Sequence, residues 1–187
     1  WHPEIDTGIH TLMVLEQACR LSADPIVRFA ALVHDLGKAA TPREEWPRHV
    51  MHEHRSAPLI EALCARLRVP NAYRDLAVLV GRHHLAMHKA MELRPGTLLD
   101  LLEHLDAFRR PERVEQFILA CEADARGRKG FEDRDYPQAD FVRRAHAAAR
   151  AVALTEEARA GLNGEQIAAQ YRQARVRALA AALNGGS

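Results

Sequence analysis

The sequence predicts an all-α fold, on three observations. Aromatic residues make up only 5% of the 187 residues. Runs of alternating β-branched residues, the mark of half-buried strands, are almost absent. Apolar residues recur at helical spacing nearly throughout, among abundant Ala, Leu, Arg and Glu. A chain of this length suits one domain, or one domain with a helical extension. It is long enough to bury a core without disulfide or metal staples.

The elements follow in order. A first helix is expected from about Thr7 to Leu21, with Ile9, Met13 and Leu15 among its apolar positions. Asp24-Pro25 starts a second, with Asp as N-cap and Pro at the first helical position, where its missing N–H is no loss. Its run Ile26, Val27, Phe29, Leu32, Val33 reads as buried, reaches His34-Asp35 and stops at Gly37, a residue suited to helix C-termini. Thr41-Pro42-Arg43-Glu44-Glu45 reads as a short capped turn of helix. A third helix is expected from near His52 to before Pro70, and a fourth from about Ala72 to His88. Pro95-Gly96 breaks the chain, and Thr97 caps a helix running through Leu102 to Phe108. Pro111 opens another, through Phe117 and Leu119 to Arg126, ending at Gly127. Gly130 to Gln138 reads as a polar loop. Two further helices follow, the last capped by Asn163 or Gly164 and running to about Leu183, with Gly185-Gly186-Ser187 expected to fray. The stretch Ala145 to Ala153 forms helix well but has little to bury, which places it at the periphery.

Composition narrows the function. Hydrophobic residues at 48% and charged residues at 27% are ordinary for a soluble globular chain. No apolar run approaches the roughly eighteen residues of a membrane span. No charged-then-apolar leader argues for secretion. Cys19, Cys64 and Cys121 are odd in number and far apart, which speaks against a disulfide framework or a thiolate zinc site and fits a cytoplasmic location. With 26 basic and 25 acidic residues, bulk charge argues neither for nor against nucleic acid. The start at Trp1, without Met, is expected of a part excised from a longer protein.

Histidine is the unusual residue, at 11. His34-Asp35-Leu36-Gly37-Lys38 closes an otherwise apolar helix, where a carboxylate needs a partner. A metal ion held by neutral imidazole and carboxylate is one reason for the pair. A histidine on the helix dipole beside a solvated aspartate is another. His10 sits mid-helix in the preceding element, where a core histidine is the plainer reading, although antiparallel packing could bring it to His34. His52-Glu53 opens the third helix, His83-His84 lies within the fourth, and Asp106 follows the apolar Leu101, Leu102 and Leu105.

The ordered set His10, His34-Asp35, His52-Glu53, His83-His84, Asp106 resembles the HD superfamily of metal-dependent phosphohydrolases. The resemblance implies a helical bundle, with additional C-terminal helices in this chain. It implies that His10, His34, Asp35 and Asp106 hold one divalent metal, and that His52 and His84, bridged by Asp35, hold a second. An all N/O donor set suits Ni, Mn, Co or Mg better than structural zinc. His34 and Asp35 are then catalytic, Lys38 offsets phosphate charge, and Glu53 orients a ligand or assists proton transfer. Three alternatives stay open: His54 for His52, His83 for His84, and Asp124 for Asp106. The superfamily pattern often places Gly before the His-Glu pair, where this chain has Met51.

A narrower resemblance spans nearly the whole chain. Trp1-His2-Pro3-Glu4-Ile5-Asp6-Thr7-Gly8-Ile9-His10, Trp46-Pro47-Arg48-His49 and Leu67-Arg68-Val69-Pro70-Asn71 carry it. So do Arg110-Pro111-Glu112-Arg113-Val114-Glu115-Gln116, Glu122 to Arg128, Gly130-Phe131-Glu132 and Asp135-Tyr136-Pro137-Gln138. These look like the C-terminal HD domain of the bacterial multifunctional tRNA nucleotidyltransferases, the CCA-adding enzymes. The resemblance implies 2′,3′-cyclic phosphodiesterase, 2′-nucleotidase and phosphatase activities on nucleotides or tRNA 3′ ends. It also implies a nucleotidyltransferase domain N-terminal to this one. No Gly-Ser followed by Asp-x-Asp is present, so this chain is not expected to add CCA. Residues 1–130 read as the phosphohydrolase core and 131–187 as its helical extension.

Arg109, Arg110, Arg113, Arg126, Arg128 and Lys129 make a locally basic region suited to phosphate, partly neutralised by Glu112 and Glu115. Trp1, Trp46 and Phe131 could stack bases or simply pack. His2, His104 and His146 read as surface or structural groups, and His49 and His88 as neighbours of the metal set. The rival function is a non-catalytic tRNA-binding or dimerising module. A nucleotide-signalling phosphohydrolase with another substrate is a third reading.

Overall fold

Helix starts fall where backbone chemistry favours them. The computed structural model describes residues 7–184. The readings placed on Trp1 and His2, on the matched segment up to Asp6, and on fraying at 185–187 lie outside the described residues. The helices are α1 (Thr7–Leu21), α2 (Pro25–Val33), α3 (His52–Leu67), α4 (Asn71–His88), α5 (Pro95–His104), α6 (Glu112–Arg126), α7 (Pro137–Arg150), α8 (Glu156–Arg159) and α9 (Gly164–Asn184). No strand occurs among the described residues, and no helix among them is long and apolar enough to cross a membrane.

Asp24 caps α2 by accepting from the Ile26 N–H at 2.8 Å. Its second oxygen takes the Gln116 amide at 2.8 Å, which ties this cap to α6. Asn163, not Gly164, caps α9. Its Oδ1 accepts from the Gln166 N–H, while Gln166 Oε1 accepts from the Asn163 N–H, both at 2.9 Å.

Five local expectations are corrected. Pro95 does not break the chain but opens α5 at its first position. That helix ends at His104, well before Phe108, because Asp106 adopts the left-handed conformation at φ 57°. Pro137 likewise opens α7 inside the segment read as loop. The second helix ends at Val33, and a 3₁₀ turn over Leu36–Ala40 replaces its expected last turn.

The fifth correction concerns the alanine-rich stretch. Ala145 and Ala149 are fully buried. They lie on the face of α7 shared with Ala139 and Val142, and α7 packs on α6 and α9, where Leu179 is also buried. Small side chains let the helix backbones approach, so the residues with least to bury stand at the tightest contact.

The helix α4 is the hub, packed on α2, α3 and α6, while α1 lies across α2 and α6. Val27, Ile60, Leu76, Val80, Leu98, Leu102, Phe117 and Ile118 fill the space between them, almost without exposure. Each such large side chain stabilises the fold by about 1.5–3 kcal/mol on burial. Within this apolar interior lie His10, His34, Asp35, His84 and Asp124, all buried.

Candidate metal centre

Five elements each bring one part of the cluster. His10 comes from the first turn of α1, and His34-Asp35 from the turn that ends α2. His52 opens α3, His84 sits in the last turns of α4, and Asp124 lies near the end of α6. Two glycines permit the approach. A Cβ on Gly37 would stand 2.0 Å from the His52 carbonyl oxygen and 2.7 Å from the Ser56 nitrogen. A Cβ on Gly127 would stand 2.4 Å from a methyl of Val14 on α1.

Four imidazoles are oriented in one way. Each donates Nδ1–H to a backbone carbonyl: His10 to Gly127 at 2.9 Å, His34 to Ala31 at 2.7 Å, His52 to His49 at 2.9 Å, and His84 to Val80 at 3.0 Å. That leaves every Nε2 turned towards the two carboxylates. His52 Nε2 and His34 Nε2 lie 3.1 and 3.3 Å from Asp35, and His10 Nε2 and His34 Nε2 lie 3.1 and 3.4 Å from Asp124. His84 Nε2 is 3.3 Å from His52 Nε2 and 3.7 Å from Asp35. Ligand atoms within 4.8 Å of one another form three overlapping groups: His10, His34 and Asp35; His34, His84 and Asp124; Asp35, His52 and His84. A backbone carbonyl behind a ligating histidine is the usual support of a metal site.

The electrostatics ask for a cation. Burial alone would raise the Asp35 carboxyl, but the neighbouring His34 and His52 imidazoles and the Lys38 ammonium hold it well below the usual range. The same balance, with His34, His10 and His88, holds Asp124 down. Burial would depress His34, yet Asp35 and Asp124 raise it well above its ordinary value. Burial and the charge of His34 press His84 down to about 3, leaving a neutral imidazole fit to ligate. His34 Nε2 and Asp35 Oδ1 are buried without a hydrogen-bond partner. These residues fit a divalent metal: neutral imidazole, carboxylate, converging orphaned atoms and no thiolate.

The geometry separates the sequence candidates. His10, His34, Asp35, His52 and His84 come together, while His54 is exposed and His83 stacks on His104 outside the cluster. Asp106 is not among them. Its carboxylate binds Arg109 at 2.6 Å on the outside of the bundle, and Asp124 occupies the place expected of it. The reason is helical register: Val114, Phe117, Cys121 and Asp124 share the buried face of α6, whereas Asp106 lies beyond the end of α5. That spacing in the sequence marks Asp124 as lying on a buried face, but not what it meets there. Lys38 Nζ meets Asp35 Oδ2 at 2.5 Å, and the lysine is buried. Glu53 stands behind His52, 3.9 Å from its Nδ1. Met51 has φ 58°, a left-handed backbone that suits the glycine which often stands before the His-Glu pair.

His88 lies one turn beyond His84 on α4, a spacing that could have signalled a shared face. Its Nε2–H donates to Asp124 Oδ2 at 2.7 Å, and its Nδ1 faces the Tyr136 hydroxyl at 2.9 Å. The arginines divide. Arg109 and Arg110 are exposed beside Asp106. Arg113 faces Asp75 in an open groove between α3 and α4. Arg126 and Arg128 border a cavity of about 270 Å³ beside His88. Trp46 is exposed, its indole N–H donating to the Thr41 carbonyl at 3.1 Å, and Phe131 carries the Arg134 guanidinium.

Comparison with known proteins agrees with this geometry. Residues 7–125 match the HD domain. The chain is 61% identical over 179 residues to the multifunctional CCA protein of Thioalkalivibrio sulfidiphilus, covering 96% of this chain and 44% of that protein. It is 59% identical over 184 residues to that of Nitrosococcus oceani, covering 98% and 45%. With that of Pseudomonas syringae it shares 53% identity over 178 residues, covering 95% and 44%. The chain thus spans less than half the length of these relatives. No solved structure matches it at a significant level.

Proposed function

Because the chain belongs to the HD domain family, we propose that it is a metal-dependent phosphohydrolase that acts on 2′,3′-cyclic nucleotides and phosphorylated tRNA 3′ ends. The proposal includes 2′,3′-cyclic phosphodiesterase, 2′-nucleotidase and phosphatase activity. It places the chain in a CCA-adding protein of the cytoplasm, beside an N-terminal nucleotidyltransferase domain. The observation that carries the reading is the set of four Nε2 atoms, each locked by a carbonyl behind it, converging on two buried carboxylates.

In this reading His10, His34, Asp35, His52, His84 and Asp124 hold the metal, with Asp35 shared between the two ends of the cluster. Ni, Mn, Co and Mg are the candidate ions. A divalent ion there supplies Lewis acidity to a phosphoryl oxygen and acidifies water near neutral pH. The chain's own groups do the rest. Lys38 balances the charge of Asp35 and presents an ammonium to phosphate oxygens. Glu53 supports His52 from behind. The cluster residues are themselves buried, which strengthens the charge contacts among them. The convergence of the cluster disfavours a module that merely binds tRNA or dimerises.

The test is hydrolysis of 2′,3′-cyclic AMP by the purified chain, with chelator and then with each ion in turn, beside His34→Ala and Asp35→Ala. Metal-dependent turnover that both substitutions abolish is the expected result. Folded protein with no turnover under any ion would overturn the reading and favour the tRNA-binding module.

A further inference from the structure

The cavity beside His88 is separate from the metal cluster but joined to it. His88 lines the cavity and reaches through to Asp124. Three guanidiniums, Arg126, Arg128 and Arg134, face one carboxylate, Asp135, around its wall. They are not equivalent. Arg126 is committed to Glu122 at 2.8 Å and to the Arg134 carbonyl at 3.0 Å, which pins the 134–138 segment to α6. Arg134 lies over Phe131. The Arg128 guanidinium makes no hydrogen bond among the described residues; its nearest carboxylate oxygen, on Asp124, is 4.0 Å away.

A half-buried guanidinium with unmet donors invites an anion. The polar remainder of the wall narrows the anion's class. Gln138 donates its amide to the His88 carbonyl at 3.1 Å, and its Oε1 is left without a partner, ready for a hydroxyl. A phosphate that carries a neighbouring hydroxyl is the phosphoribosyl unit of RNA. At about 270 Å³ the cavity is smaller than a pocket that encloses a whole ligand, roughly 300–1,000 Å³, so it suits one part of a larger molecule. Arg128 stands between this cavity and the oxygen of Asp124 that faces His10 and His34.

We propose that this cavity is a phosphate subsite for the internal phosphodiester next to the terminal phosphate held at the cluster, with Arg128 as its anchor. The full ligand is then a short RNA 3′ end, and a mononucleotide fills only half of the site. This rests on the phosphohydrolase reading of the cluster, and its test is separable from that reading.

The probe is adenylyl-(3′→5′)-adenosine, which has the internal phosphodiester but no terminal phosphate to hydrolyse. Its equilibrium binding to the manganese-supplied chain is compared with that of adenosine. The dinucleoside is expected to bind about tenfold more tightly, as a guanidinium–phosphate pair supplies. Arg128→Gln is expected to remove that advantage, Arg128→Lys to keep part of it, and Arg66→Gln, exposed on α3, to leave it intact. In turnover, the dinucleotide with a 2′,3′-cyclic end is expected to exceed 2′,3′-cyclic AMP about tenfold in kcat/KM, through KM. Equal binding of dinucleoside and adenosine, or an advantage that Arg128→Gln leaves intact, overturns the subsite. Arg128-dependent binding without turnover of either cyclic substrate supports the subsite and removes the phosphohydrolase reading instead.

Discussion

His52 and His84 bring their Nε2 atoms within 3.3 Å of each other, although each gives its Nδ1–H to a carbonyl behind it. Each ring held in this way turns its second nitrogen towards the other. A cation held by both rings would satisfy these nitrogens together with the Asp35 oxygen that faces them, which has no hydrogen-bond partner.

Metal is therefore expected to stabilise the fold as well as to serve the proposed chemistry. At a free concentration of about 100 times Kd, binding to the folded state alone adds about 2.7 kcal/mol. For a chain of this size that raises Tm by about 5–10 °C. Thermal unfolding with chelator and with each divalent ion measures it. A Tm indifferent to every ion would remove the metal reading.

The last carboxylate ligand distinguishes geometry from sequence order. Asp124→Asn is expected to lower metal affinity at least about tenfold, since ligands and their supports contribute on that scale. Asp106→Asn is expected to leave metal stoichiometry unchanged, because Asp106 faces Arg109 on the outside. Elemental analysis of the two purified variants reads the difference.

Two neighbouring backbone positions have opposite demands. Gly37→Ala forces a methyl against the His52 carbonyl and is expected to destabilise by about 1–3 kcal/mol, with metal affinity falling too. Met51→Gly relieves a left-handed conformation that disfavours side chains by about 1–2 kcal/mol, offset in part by the chain entropy of glycine. Denaturant unfolding should show the first weaker than the wild type and the second at least as stable.

His146 gives a pH signature away from the cluster. Burial holds its imidazole below the ordinary value of 6.5, against the opposing pull of its hydrogen bond to the Ala107 carbonyl at 3.0 Å. Its folded value being depressed, the unfolded chain takes up the proton first. Stability is present above 6.5, starts to fall there on acidification, and the loss is complete below the depressed folded value. His146→Gln is expected to flatten the stability profile between pH 7 and 5, by less than one proton. An unchanged profile would show that His146 is not depressed.

Several features of the fold and site were legible without coordinates. The apolar spacing located the helices, and proline marked their starts at Pro25, Pro95 and Pro137, although only the first was read as a start. His10, His34, Asp35, His52 and His84 could be named in order, and the HD domain match over residues 7–125 agrees with the family they suggested. What misled was distance along the chain. Asp106 follows an apolar run and looks buried, but a left-handed turn carries it outside.

The sequence by itself determined an all-helical HD domain and the donor types of its site. These depend on local spacing, on caps, and on polar residues set in apolar stretches. The tertiary structure alone decided which carboxylate completes the cluster, how Arg128 stands towards Asp124 without a hydrogen bond, and how Ala145 and Ala149 come to be buried. The first of these depends on residues more than a hundred positions apart, His10 and Asp124, meeting at a helix crossing whose closeness is set by Gly127 against Val14. No local pattern encodes that contact, because the packing of whole helices fixes it.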